Sequence, residues 1–203
     1  MANLRQLQKE MTRQRLLDKS LELFQQRGYV GTTIDDIAAE AGTTRVTFYA
    51  HFESRQDLMR ALIHELNVLL EREDAPGRRS TASALVEAVH VGTAASIGPW
   101  LRAQAARWPE IKPYILAATE ASAIDGDIRA LLEAWFDEVI SDIEDGLARA
   151  GRFDPATHHF RGRLAMAQLD FTALHWMREQ WDLETDPALD VLTESWVKLL
   201  GTD

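Results

Sequence analysis

The 203-residue chain contains no cysteine. That excludes a disulfide framework, a thiolate metal site and a cysteine nucleophile. No run approaches the roughly 18 consecutive apolar residues of a membrane-spanning helix. The opening stretch "MANLRQLQKEMTRQR" has no apolar core of the kind a signal peptide carries. Alternating apolar–polar stretches, phosphate-cradling glycine loops, nucleophile elbows and internal repeats are all missing. Metal-ligand spacings fail as well. A zinc-protease motif built on His64-Glu65 needs a histidine at position 68, which is Val68, and the adjacent His158 and His159 point to different faces of a helix, so with Asp170 they form no ligand set. The expectation is a soluble, cytoplasmic, all-α protein with no membrane partner, no metal and no cofactor.

Excess positive charge is also lacking, since the net charge is −10. Its distribution is uneven. Residues 1–72 hold ten basic and ten acidic side chains, whereas residues 73–203 hold twelve and twenty-two. Within residues 1–15 the basic side chains Arg5, Lys9, Arg13 and Arg15 face only Glu10. A neutral head with a basic start on an acidic body is compatible with nucleic-acid contact by the head alone.

Helical periodicity runs through the chain, with hydrophobic residues at 46%, enough for a core. Thr12 is expected to cap a first helix with Leu17, Leu21 and Phe24 on one face, stopped by Gly28. Thr33 followed by Asp36 reads as a capping box for a short helix bearing Ile34, Ile37, Ala38 and Ala41, which Gly42 ends. Thr44 caps a second short helix, "RVTFYAHF". Ser54 opens a longer one with Leu58, Leu62, Leu66 and Leu69 on its apolar face. Two short helices joined by a glycine turn bury too little surface alone and need the flanking helices as a platform, which is the helix-turn-helix arrangement. "EREDAPGRRST" (71–81) marks a boundary. Beyond it, helices are expected near 81–97, 99–107, 110–122, 126–150, 156–183 and 187–200. Breaks are expected at Gly98-Pro99, Pro109, Asp125-Gly126, Gly151, Asp154-Pro155 and Asp186-Pro187. The architecture is thus nine to ten helices: a helix-turn-helix DNA-binding domain over 1–56, a connecting helix and linker over 57–80, and a larger helical domain over 81–203, to which the resemblance described below assigns ligand binding and dimerisation.

"AGTTRVTFYAHFESRQDL" (41–58) concentrates side chains suited to DNA. Threonine and tyrosine hydroxyls and a histidine ring hydrogen-bond phosphates, and Arg45 can present its fork to a guanine edge. The Thr47 methyl suits a thymine methyl, and the helix start at Thr33 offers free N–H groups to a phosphate. Phe48 and Phe52, at i and i+4, are expected in the core.

The stretch "GYVGTTIDDIAAEAGTTRVTFYAHFESRQDLMRAL" also resembles the DNA-binding domain of tetracycline-repressor (TetR) family regulators. The likeness lies in Thr-Thr-Ile before a short helix, then Ile-Ala-x-x-Ala-Gly, Thr-x-Tyr-x-His-Phe and the pair Asp57-Leu58, and it covers roughly residues 10–70. The resemblance implies a homodimer that binds a double-stranded, near-palindromic operator and answers to a small-molecule effector, most often as a repressor. It implies that Thr33, Tyr49 and His51 hold phosphates, and that Thr43, Thr44, Arg45 and Thr47 face the groove. Val46 stands where many members have glycine, so base preference does not transfer.

All six tryptophans lie at or after Trp100. Trp100, Trp108, Tyr114, Trp135, Phe136, Phe171, His175 and Trp176 are candidate walls of an effector pocket, a role that shares residue types with plain core packing. The resemblance implies that the last two helices form the dimer. Phe160, Leu164, Phe171, Leu174, Leu192 and Trp196 are the expected interface stripe, with Trp181 and Trp196 as possible anchors. A helical enzyme using Glu120, Asp125 or Asp170 as acid or base is the rival reading. It leaves the N-terminal cluster without a purpose.

Overall fold

The helical periodicity folds as ten α-helices, with no strand among the described residues. The computed structural model describes residues 2–70, 83–183 and 187–202, with side chains from Leu4 onward. The helices are α1 (Ala2–Arg27), α2 (Ile34–Glu40), α3 (Arg45–Tyr49), α4 (Arg55–Leu69), α5 (Ser83–Val91), α6 (Ala94–Ala105), α7 (Trp108–Ile124), α8 (Gly126–Ala150), α9 (His158–Glu179) and α10 (Ala188–Leu200). A 3-10 turn, Pro155–Thr157, leads into α9. The expected boundary at 71–81 and the break at Asp186 lie outside the described residues.

Two expected helix ends are corrected. Thr12 does not cap α1, which begins ten residues earlier; its hydroxyl instead donates to the Gln8 carbonyl at 2.9 Å, within the helix. The segment before it is rich in Leu, Gln, Arg and Lys, all good helix formers, so nothing stops the helix extending toward the start. The break expected at Gly98-Pro99 is also displaced, to Gly92-Thr93. There Gly92 adopts φ +72°, and the Thr93 amide donates to Ser96 Oγ at 3.0 Å, a start signal with serine in the place of an acidic residue. Pro99 sits inside α6, and Gly98 is buried where a β-carbon would come within 3.3 Å of Thr193 Cγ2, so this glycine serves close packing. Pro109 lies in the first turn of α7, where a missing N–H leaves no bond unmade.

The chain forms two compact units, one of residues 1–67 with 111–132 and one of residues 68–110 with 133–203. In the first, Leu16, Leu17, Phe24, Ile37, Phe48, Phe52, Leu58, Leu62 and Leu66 are buried, the apolar faces that the periodicity of α1 to α4 predicts. In the second, α10 packs on α6 and α9 and contributes Leu189, Leu192, Trp196 and Leu200 to a buried core. Trp196 is 0% exposed and stacks on Trp100 with centroids 5.7 Å apart. It is therefore a core residue of its own chain and not an interface anchor, and Leu192 is buried with it.

Arg152 closes two helix ends in the second unit. Its guanidinium donates to the carbonyls of His90 (2.9 Å), Val91 (3.4 Å), Leu200 (3.2 Å) and Val89, satisfying groups that the carboxyl ends of α5 and α10 leave free. Burial lowers its pKa. A β-carbon at Gly92 would lie 2.4 Å from Arg152 Nη2, and one at Gly201 would run into the Gly92 carbonyl.

Candidate nucleic-acid interface

Local hydrogen bonding fixes the two short helices. Thr33 Oγ1 accepts from the Asp36 amide at 3.2 Å while Asp36 Oδ2 accepts from the Thr33 amide at 2.9 Å, the reciprocal box expected of this pair. The Thr33 hydroxyl also donates to Asp36 Oδ2 at 2.5 Å, and this bond first, then the one from the Thr33 amide, with the Arg27 charge behind them, hold the Asp36 carboxyl below its usual range. After Gly42, Thr44 Oγ1 accepts from the Thr47 amide at 3.3 Å and starts α3. Phe48 turns inward at 0% exposure and meets Phe52 at 5.7 Å, so one face of α3 is anchored and the other is free.

The free face carries the residues singled out by their chemistry. Thr33, Thr44, Arg45 and Tyr49 are exposed; Thr43, Thr47 and His51 are half-buried. Val46 is 80% exposed at the centre of this surface. Arg45 Nη1 donates to Asp35 Oδ2 at 2.9 Å, and its guanidinium lies 5.6 Å from the Tyr49 ring centre. The fork is thus held in place yet remains on the surface, where an exchange of Asp35 for a base edge requires no repacking. The hydroxyls of Thr44 and Thr47 lie 3.1 Å apart. His51 is shifted toward its neutral form, first by partial burial and then by the positive charges of Lys9 and Arg13 on α1. Those two exposed cations therefore act on the same surface as His51. Only the basic bias of residues 1–15 signalled them.

The turn before α2 is held by side chains from two other helices. Arg55 donates to the Tyr29 carbonyl (2.9 Å) and the Thr32 carbonyl (2.5 Å) and lies 4.0 Å over the Tyr29 ring. Glu120 of α7 accepts from the amides of Tyr29 (2.9 Å) and Val30 (3.2 Å). Asp125 accepts from the amides of Asp127 and Ile128 at the start of α8. Glu120 and Asp125 thus have structural work in the first unit, while Asp170 belongs to the second.

The eight candidate pocket residues are scattered. Tyr114 belongs to the first unit, where its hydroxyl donates to Glu65 at 3.4 Å. The others belong to the second. Trp108 and Trp176 are buried 5.7 Å apart, and Trp176 Nε1 donates to the Trp181 carbonyl at 2.8 Å. Trp135 meets Phe136 edge-on at 5.2 Å. Phe171 is 71% exposed and stacks on His175, whose ring also lies 5.1 Å from Trp181. Among the eight, only Phe136 lines the open cleft of about 150 Å³ between α8 and α9, with Ile140, Arg163, Met166, Ala167 and Asp170. Burial raises the Asp170 carboxyl above its usual range. No group of three or more histidine or acidic side chains is arranged to hold a metal ion, and no helix is long and apolar enough to cross a membrane, among the described residues.

Two short capped helices with one anchored and one free face define a helix-turn-helix domain. Residues 16–62 match the profile of "Bacterial regulatory proteins, tetR family". The helix-turn-helix domain is therefore similar to that of tetR family regulators. It is 33% identical over 87 residues to the HTH-type transcriptional regulator SrpR of Pseudomonas putida, covering 40% of this chain and 41% of that one, so less than half of the relative's length is matched. The fold is similar to NalD, the secondary repressor of the MexAB-OprM multidrug efflux pump in Pseudomonas aeruginosa, at TM-score 0.68 and 21% identity over 96% of this chain and 98% of that one. It is also similar to SmeT in its complex with triclosan, at TM-score 0.63 and 21% identity over 91% of each chain.

Proposed function

We propose that the protein is a transcriptional repressor that binds a near-palindromic duplex as a homodimer and responds to a small aromatic or hydrophobic effector. The observation that carries this reading is the outward set on α3, with Arg45, Thr44, Thr47 and Tyr49 displayed on a helix whose other face is locked by Phe48. In this reading residues 1–56 form the reading head, 57–80 the connection and 81–203 the effector-binding and dimerising body. Segment 111–132 is assigned to the body by its place in the chain, although it is compact with the head. The effector is expected among the aromatic side chains of the body, as the binding of triclosan by SmeT suggests by analogy. Helix α4 is the proposed carrier of the response. Since coupling is reciprocal, a bound duplex must change effector affinity by the same factor as the effector changes duplex affinity.

The test is a titration of a duplex selected from a random pool, repeated across salt concentrations. Arg45→Ala should lose about 1–3 kcal/mol at one base position and relax selectivity there. Tyr49→Phe should weaken binding to every sequence. Lys9→Ala and Arg13→Ala should each reduce the salt slope by about one. His51→Ala should weaken binding yet leave the slope unchanged at neutral pH, because a histidine shifted toward its neutral form displaces no counterion. An Arg45→Ala protein that still selects the same duplex would remove the groove assignment.

For the dimer, the exposed apolar stripe of α9 is the proposed interface, with Phe160 at 65%, Leu164 at 41% and Phe171 at 71% exposure, together with Val191 of α10 at 61%. A single chain rarely leaves such a contiguous stripe in water. Two heads on one duplex would place their α3 helices about 34–36 Å apart, or a multiple of that distance.

A further inference from the structure

The exposed stripe of α9 carries more than apolar area. Phe160, Leu164, Ala167, Phe171 and Leu174 follow one another at intervals of four and three residues, the spacing of a helix that packs along a single seam. Beside this seam, on the edge toward α8, stand Arg163 and Asp170, seven residues and two helical turns apart, roughly 10 Å along the axis. Neither makes a hydrogen bond or ion pair among the described residues, while Met166 and Ile140 of the groove they flank are buried and Phe136 is half-buried. A half-buried carboxylate and an extended guanidinium, both idle on one edge of one apolar seam, are incomplete as they stand.

We propose that a second copy of this chain completes them: two α9 helices pack antiparallel about a two-fold axis, and Arg163 of each copy pairs with the partner's Asp170. The inference rests on the dimer proposed above and specifies its register. A two-fold contact is isologous, so if Arg163 meets the partner's Asp170, then Asp170 meets the partner's Arg163, and the pair forms twice. The same register sets Phe160 against the partner's Phe171 and Leu164 against the partner's Ala167. Large against large at the ends and large against small near the axis lets the helices approach closely where the ion pairs flank them. Side chains on a helix lean toward its start, which brings the edge positions 163 and 170 of opposed helices toward each other. A parallel arrangement would put the two copies of this edge on opposite flanks of the seam, with Arg163 out of reach of the partner's Asp170. The opposite charges thus select direction as well as register, the role that edge charges have in paired helices generally.

Sedimentation velocity over a dilution series of the full chain tests this without any knowledge of operator or effector. Wild type should be a dimer. Arg163→Asp and Asp170→Arg should each weaken the dimer by about ten- to a hundredfold, because each places like charges together twice. The double variant R163D/D170R should restore it. An equimolar mixture of the two single variants should also dimerise, since both cross-pairs are then opposite in sign. If arginine at the half-buried position 170 lowers thermal stability, Arg163→Gln and Asp170→Asn replace the reversals; as partners, their double variant should lose no more than either alone. A monomeric wild type would overturn the dimer and this register together. A dimeric wild type with unaffected single variants, or with a double variant no better than either single, would overturn the Arg163–Asp170 pairing while the dimer stands.

Discussion

Phe48→Ala should cost about 3–5 kcal/mol of stability in the first unit and abolish binding to every duplex sequence. The ring is 0% exposed and in contact range of Phe52 and Tyr49, at 5.7 Å each, so its removal leaves a cavity under a helix of only five residues. Such a helix has no stability of its own and exists because its inner face is packed. The side chains on its outer face would remain present but no longer be positioned, which is why the loss should not discriminate among sequences, in contrast to Arg45→Ala. The measurement is convenient. All three tyrosines belong to the first unit and all six tryptophans to the second, so denaturation followed by tyrosine and by tryptophan fluorescence reports the two separately. The tyrosine transition should move to lower denaturant. A variant with wild-type stability and wild-type binding would show that Phe48 is not the anchor.

Trp196→Ala should be equally severe, at about 3–5 kcal/mol, but in the second unit. Its indole is fully buried against Trp100, in a core that α10 shares with α6 and α9. A core role and an interface role differ in a way that dilution exposes. A core loss lowers the unfolding midpoint by the same amount at any protein concentration, whereas an interface loss acts through mass action and depends on concentration. Concentration-dependent destabilisation of Trp196→Ala would return this residue to the interface. For the same reason, deleting the chain from Asp186 onward is not a clean way to make monomers, because Leu189, Leu192, Trp196 and Leu200 leave with it and their contacts on α6 and α9 are stripped.

How far the sequence could be read depended on the range of the interaction. The Thr33–Asp36 box and the Thr44 cap are three-residue signals between atoms close in the chain, and they were legible. So was the inward turn of Phe48 and Phe52, since periodicity assigns a helix face without reference to the partner. Gly98-Pro99 misled because a glycine–proline pair is read as a helix break, while Gly98 is glycine for its approach to Thr193, 95 residues away. Glu120 and Tyr29 illustrate the same limit from the other side: a carboxylate that accepts two amides some 90 residues earlier leaves no local pattern, and reads in the sequence as a candidate acid. The tryptophans were visible as a cluster in composition only. Periodicity does not separate Trp196, which faces its own core, from Phe171, which faces out.

Arg152 ties together positions that no short motif joins. Its guanidinium occupies the space that a side chain at 92 would need, and Gly201 is admitted beside Gly92 because it too has none. Glycine at 92 and arginine at 152 are therefore sterically linked, whereas 201 must be glycine because backbone atoms of Gly92 and Val197 fill the space its side chain would take. Replacing Arg152 would remove the steric part of the bar on a side chain at 92, while the φ of +72° there would still favour glycine, and the carbonyls of Val89, His90 and Leu200 would need other donors. A chimaera that keeps Arg152 from one parent and brings a side chain at 92 from another should accordingly carry a clash with the guanidinium.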